Sequence, residues 1–197
     1  FFKKVDCFVW GLDTSILVRG RVLSMIRPQH HRWHFVRACV RLDSGIEIEV
    51  VSVRLATHQV RMDFWSSACW KEQEQIRREQ RDQLRELLNG IEVLPGKRPV
   101  VIGGDFNSPP RDAVFSLLKP HFHDAFYEGG IGWGNTMVND MPFVRIDQIW
   151  VSEQFRAKAV LARKTQYSDH RMVVCDLLVQ TTPGWQNHRE PIRANLE

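Results

Sequence analysis

The stretch Pro99-Val100-Val101-Ile102-Gly103-Gly104-Asp105-Phe106-Asn107-Ser108-Pro109-Pro110 decides how this chain is read. Its opening residues are short and wholly apolar, the pattern of a strand buried on both faces. Glycines, a carboxylate and an amide follow at once, so polar groups are delivered at the C-terminal end of a buried strand. Asp105 and Asn107 stand two residues apart on the turn that leaves it. Both can address one ligand, Asp105 as acceptor or base and Asn107 as a neutral donor to an oxyanion. The structural alternative is an Asx-type turn that merely ends the strand.

Two segments further along carry the same kind of chemistry. In Arg145-Ile146-Asp147-Gln148-Ile149-Trp150-Val151, period-two alternation puts Asp147 on the face of Ile149 and Val151, and an inward acid needs a partner. An ion pair with Arg145 or another arginine fits that need as well as catalysis does. Ser168-Asp169-His170 opens the next apolar run and places an acid and an imidazole at a strand mouth, where adjacent side chains diverge. That divergence suits Asp169 toward a metal and His170 toward substrate, steadied by a separate carboxylate such as Asp147. A strand-start cap is again the alternative.

Around these segments the chain reads as mixed strands and helices. Ile16 to Ile26 is strand-like, and Phe35 to Leu42 with Ile46 to Leu55 flank the polar turn Asp43-Ser44-Gly45 as a hairpin. From Ala68 to Leu88 the spacing of Ile76, Leu84, Leu87 and Leu88 predicts a helix, stopped at Asn89-Gly90. Its arginines Arg77, Arg78, Arg81 and Arg85 read as a solvated face among acids, the alternative being a track for a phosphate backbone. A short helix is expected over Asp112 to Leu118, and strands over Val144 to Val151, Ala157 to Ala162 and Met172 to Val179. No repeat or Gly/Ser/Pro-rich linker divides the chain, so one domain is expected over residues 1–182 with a peripheral tail over 183–197.

Composition bounds the function. The 197 residues, 43% hydrophobic and 25% charged, suit one globular domain with a sizeable core. No apolar run approaches the roughly 20 residues needed to span a bilayer. The net charge of +4 is compatible with an anionic substrate without demanding one. Cys7, Cys39, Cys69 and Cys175 are far apart, without a C-x-x-C pair, and are expected as buried thiols. In a shuffled chain of this composition Gly-Asp-Phe-Asn is expected about 0.001 times, so its appearance together with Ser-Asp-His calls for a common cause.

Gly104-Asp105-Phe106-Asn107, Arg145-Ile146-Asp147 and Ser168-Asp169-His170 resemble three ordered signatures of the endonuclease/exonuclease/phosphatase superfamily, the deoxyribonuclease-I-like fold. The resemblance runs from about Thr14 to Val179 and includes Gly132-Trp133-Gly134-Asn135-Thr136, similar to the loop before the Arg-Ile-Asp strand of many members. It implies an α/β fold, a four-layer α/β/β/α sandwich of two mixed sheets, and cleavage of a phosphoester with Mg²⁺ or Mn²⁺. Carried over, Asp105 would orient or deprotonate the attacking water and share the metal with Asp169. Asn107 would hold the phosphate oxygens. His170, paired with Asp147, would stabilise charge on the phosphoryl group, and Arg54 and Asn135 would bind substrate.

The chain departs from the family pattern near its start. The family's N-terminal Asn and metal-binding Glu have no counterpart, since the first Asn is Asn89 and the first Glu is Glu47. Arg54 stands where relatives carry a second active-site histidine, with His58 four residues on as a candidate imidazole. His30, His31, His34, His121 and His123 read as structural or surface residues. Missing N-terminal strands are expected to be a truncation, since the downstream motifs are intact. The expected function is phosphodiester or phosphomonoester hydrolysis by a monomer. Its rivals are a binding module whose site is disabled and a nucleic-acid-binding protein. Nucleic acid, inositol phosphate and phospholipid headgroup all stand as substrates, because flanking loops select them. Trp65, Trp70 and Trp133 stand on loops, where they either stack bases or fill the core, and the core is the expectation for most of the seven tryptophans.

Overall fold

The computed structural model describes residues 7–10, 13–28, 34–57, 63, 65–89, 91 and 98–180. The strands are β1 (Cys7–Trp10), β2 (Ser15–Val18), β3 (Gly20–Ile26), β4 (Phe35–Leu42), β5 (Glu47–Arg54), β6 (Val100–Asp105), β7 (Phe122–Asp124), β8 (Asp147–Ser152), β9 (Phe155–Arg163) and β10 (Met172–Val179). The helices are α1 (Ser67–Leu88) and α2 (Ala125–Gly129), with a 3₁₀ turn over Ala113–Leu117. A six-stranded mixed sheet runs in the order β3-β4-β5-β6-β8-β7. Two antiparallel ribbons, β1-β2 and β9-β10, lie apart from it in hydrogen bonding. This is the α/β sandwich expected from the sequence.

Alternation along the central strands sorts the layers. Val51, Val53, Val100, Ile102 and Trp150 turn to one face and pack with Leu84 and Leu87 of α1 and with Val114 and Phe115 of the 3₁₀ turn. Val101, Ile149 and Val151 turn to the opposite face, against Val160 of β9 and Val173 and Cys175 of β10. Ile16 of β2 covers Val36, Ala38 and Val40 of β4 on that opposite side. Burying so many aliphatic side chains, each worth about 1.5–3 kcal/mol, supplies the main drive to this layering.

The strand expected over Ile16 to Ile26 is two strands in different sheets, broken at Arg19-Gly20. Gly20 has φ 139°, and a Cβ there would meet the Arg41 carbonyl at 2.3 Å. The chain must therefore bend at the one residue able to take that conformation. Gly104 serves β6 in the same way. Its φ is 148°, and a Cβ would fall 1.9 Å from the Val53 carbonyl, so only glycine lets β5 and β6 close at the level of Asp105. The hairpin around Asp43-Ser44-Gly45, α1 and β10 lie where the sequence puts them. β7 and α2 carry no alternation long enough to be read, and Asp124 caps α2 by accepting from the Phe126 N–H.

Among the described residues no helix is long and apolar enough to cross a membrane. Cys39, Cys69 and Cys175 are free thiols, and burial pushes the Cys175 thiol up to about 11. Trp150 fills the core, whereas Trp65, Trp70 and Trp133 are exposed, against expectation. Trp65 and Trp70 flank the start of α1, and Trp133 sits in a glycine-rich loop. The tail over 183–197 lies outside the described residues.

Candidate active site

The site begins as a row across three strands. β5 and β6 are parallel with Arg54 opposite Asp105, and β6 and β8 are antiparallel with Asp105 opposite Asp147. Arg54, Asp105 and Asp147 thus share one rung at the end of the sheet. The rungs behind them are Ser52, Gly103 and Ile149, then Val50, Val101 and Val151. Alternation puts all three charged side chains on the face turned toward β9 and β10.

His170 joins the row from the loop before β10, with Nδ1 2.9 Å from Oδ2 of Asp147. One ligand atom each from Asp105, Asp147 and His170 fall within 4.8 Å of one another. These three are the group of that kind among the described residues. Asp169 is exposed and stands outside it, and its carbonyl accepts a bond from the Asn139 N–H at 2.6 Å. Asp147 is free for His170 because Arg145 is taken. The Arg145 guanidinium forks onto Asp124 with contacts of 2.9 and 2.5 Å, both side chains buried, and its face lies over the Phe126 ring. The structure therefore resolves the ion-pair alternative for Asp147 against Arg145.

Asp105 is held as an unfavourable charge. Burial pushes its carboxyl above the ordinary range, and Asp147 adds to this, whereas the Asn107 N–H, His170 and Arg54 act against it. Two neighbouring, partly buried carboxylates with an imidazole are a donor set that fits a hard divalent cation, which would relieve that repulsion. Arg54 is half exposed, and its Nη1 stands 3.7 Å from Asp13.

Asn107 takes φ 47°, a left-handed conformation that asparagine tolerates. Its N–H donates to Asp105 Oδ1 at 2.9 Å, and one hydrogen of its side-chain amide goes to the Leu55 carbonyl at 2.8 Å. The Asx-type turn and the functional reading thus describe the same residues. Buried glutamines hold this turn from behind. Gln80 donates to the carbonyls of Ala56 (2.8 Å) and Asn107 (3.4 Å) and accepts from the Ser108 hydroxyl at 3.1 Å. Gln148 donates to the Ser108 carbonyl at 2.8 Å and accepts from the Trp150 indole. Gln83 accepts from the Ala56 N–H at 2.8 Å. Sequence reading overlooked these residues. The signal was present, since Gln80 and Gln83 fall on the helix face of Leu84 and Leu87 at i, i+4 and i+7 spacing.

Thr136 and Asn139 were overlooked too. The Thr136 hydroxyl accepts from the N–H groups of Ile146 and Asp147, each at 3.2 Å, and sets the start of β8. Asn135, half-buried, immediately precedes it. Asn139 clips the loop carrying Ser168-Asp169-His170: its amide exchanges bonds with the carbonyl and N–H of Thr165. His34 is buried with Nε2 on the Gln83 carbonyl, His123 pairs with Glu128, and His121 is exposed, as expected of structural or surface residues. His30, His31 and His58 lie outside the described residues. Along α1, Arg78 pairs with Glu74 and Arg85 with Asp82 on the solvated face that the sequence predicts, while Arg77 reaches across to the buried Asp112 at the start of the 3₁₀ turn.

An α/β sandwich is the class this combination defines, with two carboxylates and an imidazole gathered at the rim of one sheet. The chain belongs to the Endonuclease/Exonuclease/phosphatase family, whose profile matches residues 12–170, and this sets it among phosphoester hydrolases. Three solved structures are similar in fold. A functionally unknown conserved protein from Enterococcus faecalis V583 superposes with a TM-score of 0.65 at 14% identity, over 84% of this chain and 70% of that one. D. rerio TDP2 complexed with single strand DNA product gives 0.61 at 18% identity, over 88% of this chain and 77% of that one. A Bacteroides thetaiotaomicron mannosyl-6-phosphatase gives 0.53 at 18% identity, over 73% of this chain, which spans 56% of its length. No curated protein sequence matches the chain.

Proposed function

We propose that the protein is a divalent-metal-dependent phosphoester hydrolase, using Mg²⁺ or Mn²⁺, that cleaves by in-line attack of an activated water. The observation that carries this reading is the shared rung of Arg54, Asp105 and Asp147 with His170 bonded to Asp147. In-line displacement at phosphorus asks a protein mainly for positioning and charge neutralisation, and that cluster offers both.

In this reading Asp105 orients the attacking water and takes its proton. Asn107, whose backbone is pinned to Asp105, offers its second amide hydrogen to a phosphate oxygen. His170, with Nδ1 given to Asp147, leaves Nε2 to meet the phosphoryl oxygens as charge builds on them. Arg54 and Asn135 grip the substrate phosphate from the sides of the cleft. Asp105 and Asp147, whose ligand atoms fall within 4.8 Å of one another, would hold the cation, while Asp169, carried over from the family as a ligand, stands outside that group; the cation would supply Lewis-acid polarisation of the phosphate when bound. The water oxygen forms a bond to phosphorus, the bond to the ester oxygen breaks, and the proton taken by Asp105 passes to the departing alkoxide, so that a diester yields a monoester and an alcohol.

The test is turnover of bis-p-nitrophenyl phosphate by the whole chain. Hydrolysis should stop on chelation, return with Mg²⁺ or Mn²⁺, and fall at least about a hundredfold in Asp105→Ala and in His170→Ala. Undiminished turnover in both variants refutes the assigned roles. A chain that binds no Mg²⁺ or Mn²⁺ at millimolar concentration in calorimetry returns the question to the binding-module alternative.

A further inference from the structure

The six-stranded sheet ends differently on its two sides. At one edge β7 is three residues long, with Phe122 and Asp124 buried, and so short a strand offers little to pair with. At the other edge β3 runs for seven residues, and no strand among the described residues pairs with its outer side. The N–H and C=O groups of alternate residues therefore face outward there as an open ladder. Along it Leu23, Met25 and Ile26 are 38%, 45% and 47% exposed. The register places them: Met25 lies opposite Ala38 on the face of β2, Ile26 opposite Arg37 on the face of α1, and Leu23 is the extra residue of a bulge between Val22 and Ser24.

Cations set the character of this edge. The segment from Arg19 to Arg27 carries three arginines and no acid. Arg21 stands directly opposite Arg41, a like-charged pair that disfavours the sheet. Arg41 stands in turn opposite Glu47, and that carboxylate is shared between Arg41 at 2.6 Å and Arg98 at 3.0 Å. Three guanidinium groups are thus set against one carboxylate, and Arg21, exposed at the outer end of the row, has no ion pair among the described residues.

A second copy of the chain is a poor occupant for this edge. Antiparallel pairing of β3 with its own copy brings one arginine-bearing segment against another with no acid to offset it, which is how edge charges keep copies apart. The same arginine admits a strand that brings an acid. Outward backbone groups call for an extended chain, Met25 and Ile26 call for apolar side chains on both of its faces, and Arg21 calls for a carboxylate at one end.

We infer that β3 is a docking edge for an acidic, extended peptide segment of a partner protein. The segment adds as a seventh strand, with apolar side chains beside Met25 and Ile26 and an Asp or Glu opposite Arg21. β4 separates this edge from β5 and the catalytic rung, and the inference does not rest on the phosphoesterase reading.

The probe is a blocked eight-residue peptide of alternating valine and threonine closed at its C-terminus by two glutamates, with a second peptide closed by two lysines. Each is titrated into the ¹⁵N-labelled whole chain and followed by amide chemical shifts. The glutamate peptide should shift amides of β3 and β4 saturably and bind at least about fivefold tighter than the lysine peptide. Arg21→Glu should reverse that preference, and because the position is exposed and faces Arg41 the thermal midpoint should not fall. Met25→Ser/Ile26→Ser should weaken the glutamate peptide at least about threefold. N-methylation of alternate peptide residues should abolish binding in one phase and spare it in the other, an arm that needs no variant of the protein. Absence of shifts, shifts outside β3 and β4, a glutamate peptide no better than the lysine peptide, a preference that Arg21→Glu leaves in place, or binding that survives N-methylation in both phases overturns the inference. A chain that sediments as a dimer broken by Met25→Ser/Ile26→Ser overturns it in favour of a second copy. Oligothymidylate that shifts the same amides at lower concentration than the glutamate peptide overturns it in favour of nucleic acid.

Discussion

Nδ1 of His170 lies 2.9 Å from Oδ2 of Asp147, although one residue comes from the loop before β10 and the other opens β8. The pair exists because Asp124 engages Arg145, two residues before Asp147, and because Asn139 and Thr136 fix the two backbones that carry it. Orientation of the imidazole is thereby set by residues that touch no substrate.

If Asp147 acts through His170, the two side chains are one functional unit. Asp147→Asn and His170→Ala should each lower kcat on a p-nitrophenyl phosphodiester by about 10²–10⁴. The double variant should be no worse than the poorer single. Losses that multiply in the double variant would mean that the residues act separately.

Asp105 predicts a pH-dependent gain in stability on neutralisation. Its carboxyl is raised in the folded chain, so the folded state binds the proton more tightly than the unfolded state does. Stability therefore falls as pH rises from the unfolded aspartate value, about 3.9, through the folded value, and stays low above it. Asp105→Asn should be more stable than the parent at pH 7 in chelator, and the advantage should vanish below about pH 3.9. Urea denaturation at the two pH values reads the difference; a variant less stable at pH 7 contradicts the assignment of burial as the dominant cause.

Gln80 should matter as much to the Asn107 turn as to folding. It is fully buried and bonds two carbonyls and a hydroxyl at the turn. Gln80→Leu leaves the Ala56 carbonyl and the Ser108 hydroxyl without it, at about 1–3 kcal/mol for each unsatisfied buried group. The expected loss, read by urea denaturation, should come with a larger fall in kcat than in substrate affinity. A variant within about 0.5 kcal/mol of the parent would remove Gln80 from the account.

The Arg145–Asp124 fork is a buried ion pair and should respond as one. Asp124→Asn or Arg145→Met alone leaves a charge without its partner and should cost about 3–5 kcal/mol. Replacing both with apolar residues should recover a good part of that cost, since desolvation of the two charges is relieved together. Chemical denaturation of the three variants decides it, and an additive double variant would argue against the pairing.

Period-two alternation and a turn chemistry confined to a few residues made much of this protein legible in advance. Val100 to Ile102 as a buried strand, the Asp43-Ser44-Gly45 hairpin, α1 and β10 follow from local burial patterns, which the chain carries in its own spacing. The same spacing marked Asp105, Asn107, Asp147 and His170 as candidates. Partnership was decided elsewhere. That Asp147 meets His170 and leaves Arg145 to Asp124, that Arg54 shares a rung with both acids, and that Gln80 and Gln148 clamp the Asn107 turn all depend on β6 lying between β5 and β8. Strand order is fixed by the burial of whole layers, a sum over the entire core, so contacts between residues twenty to fifty positions apart exist only once the sheet has assembled.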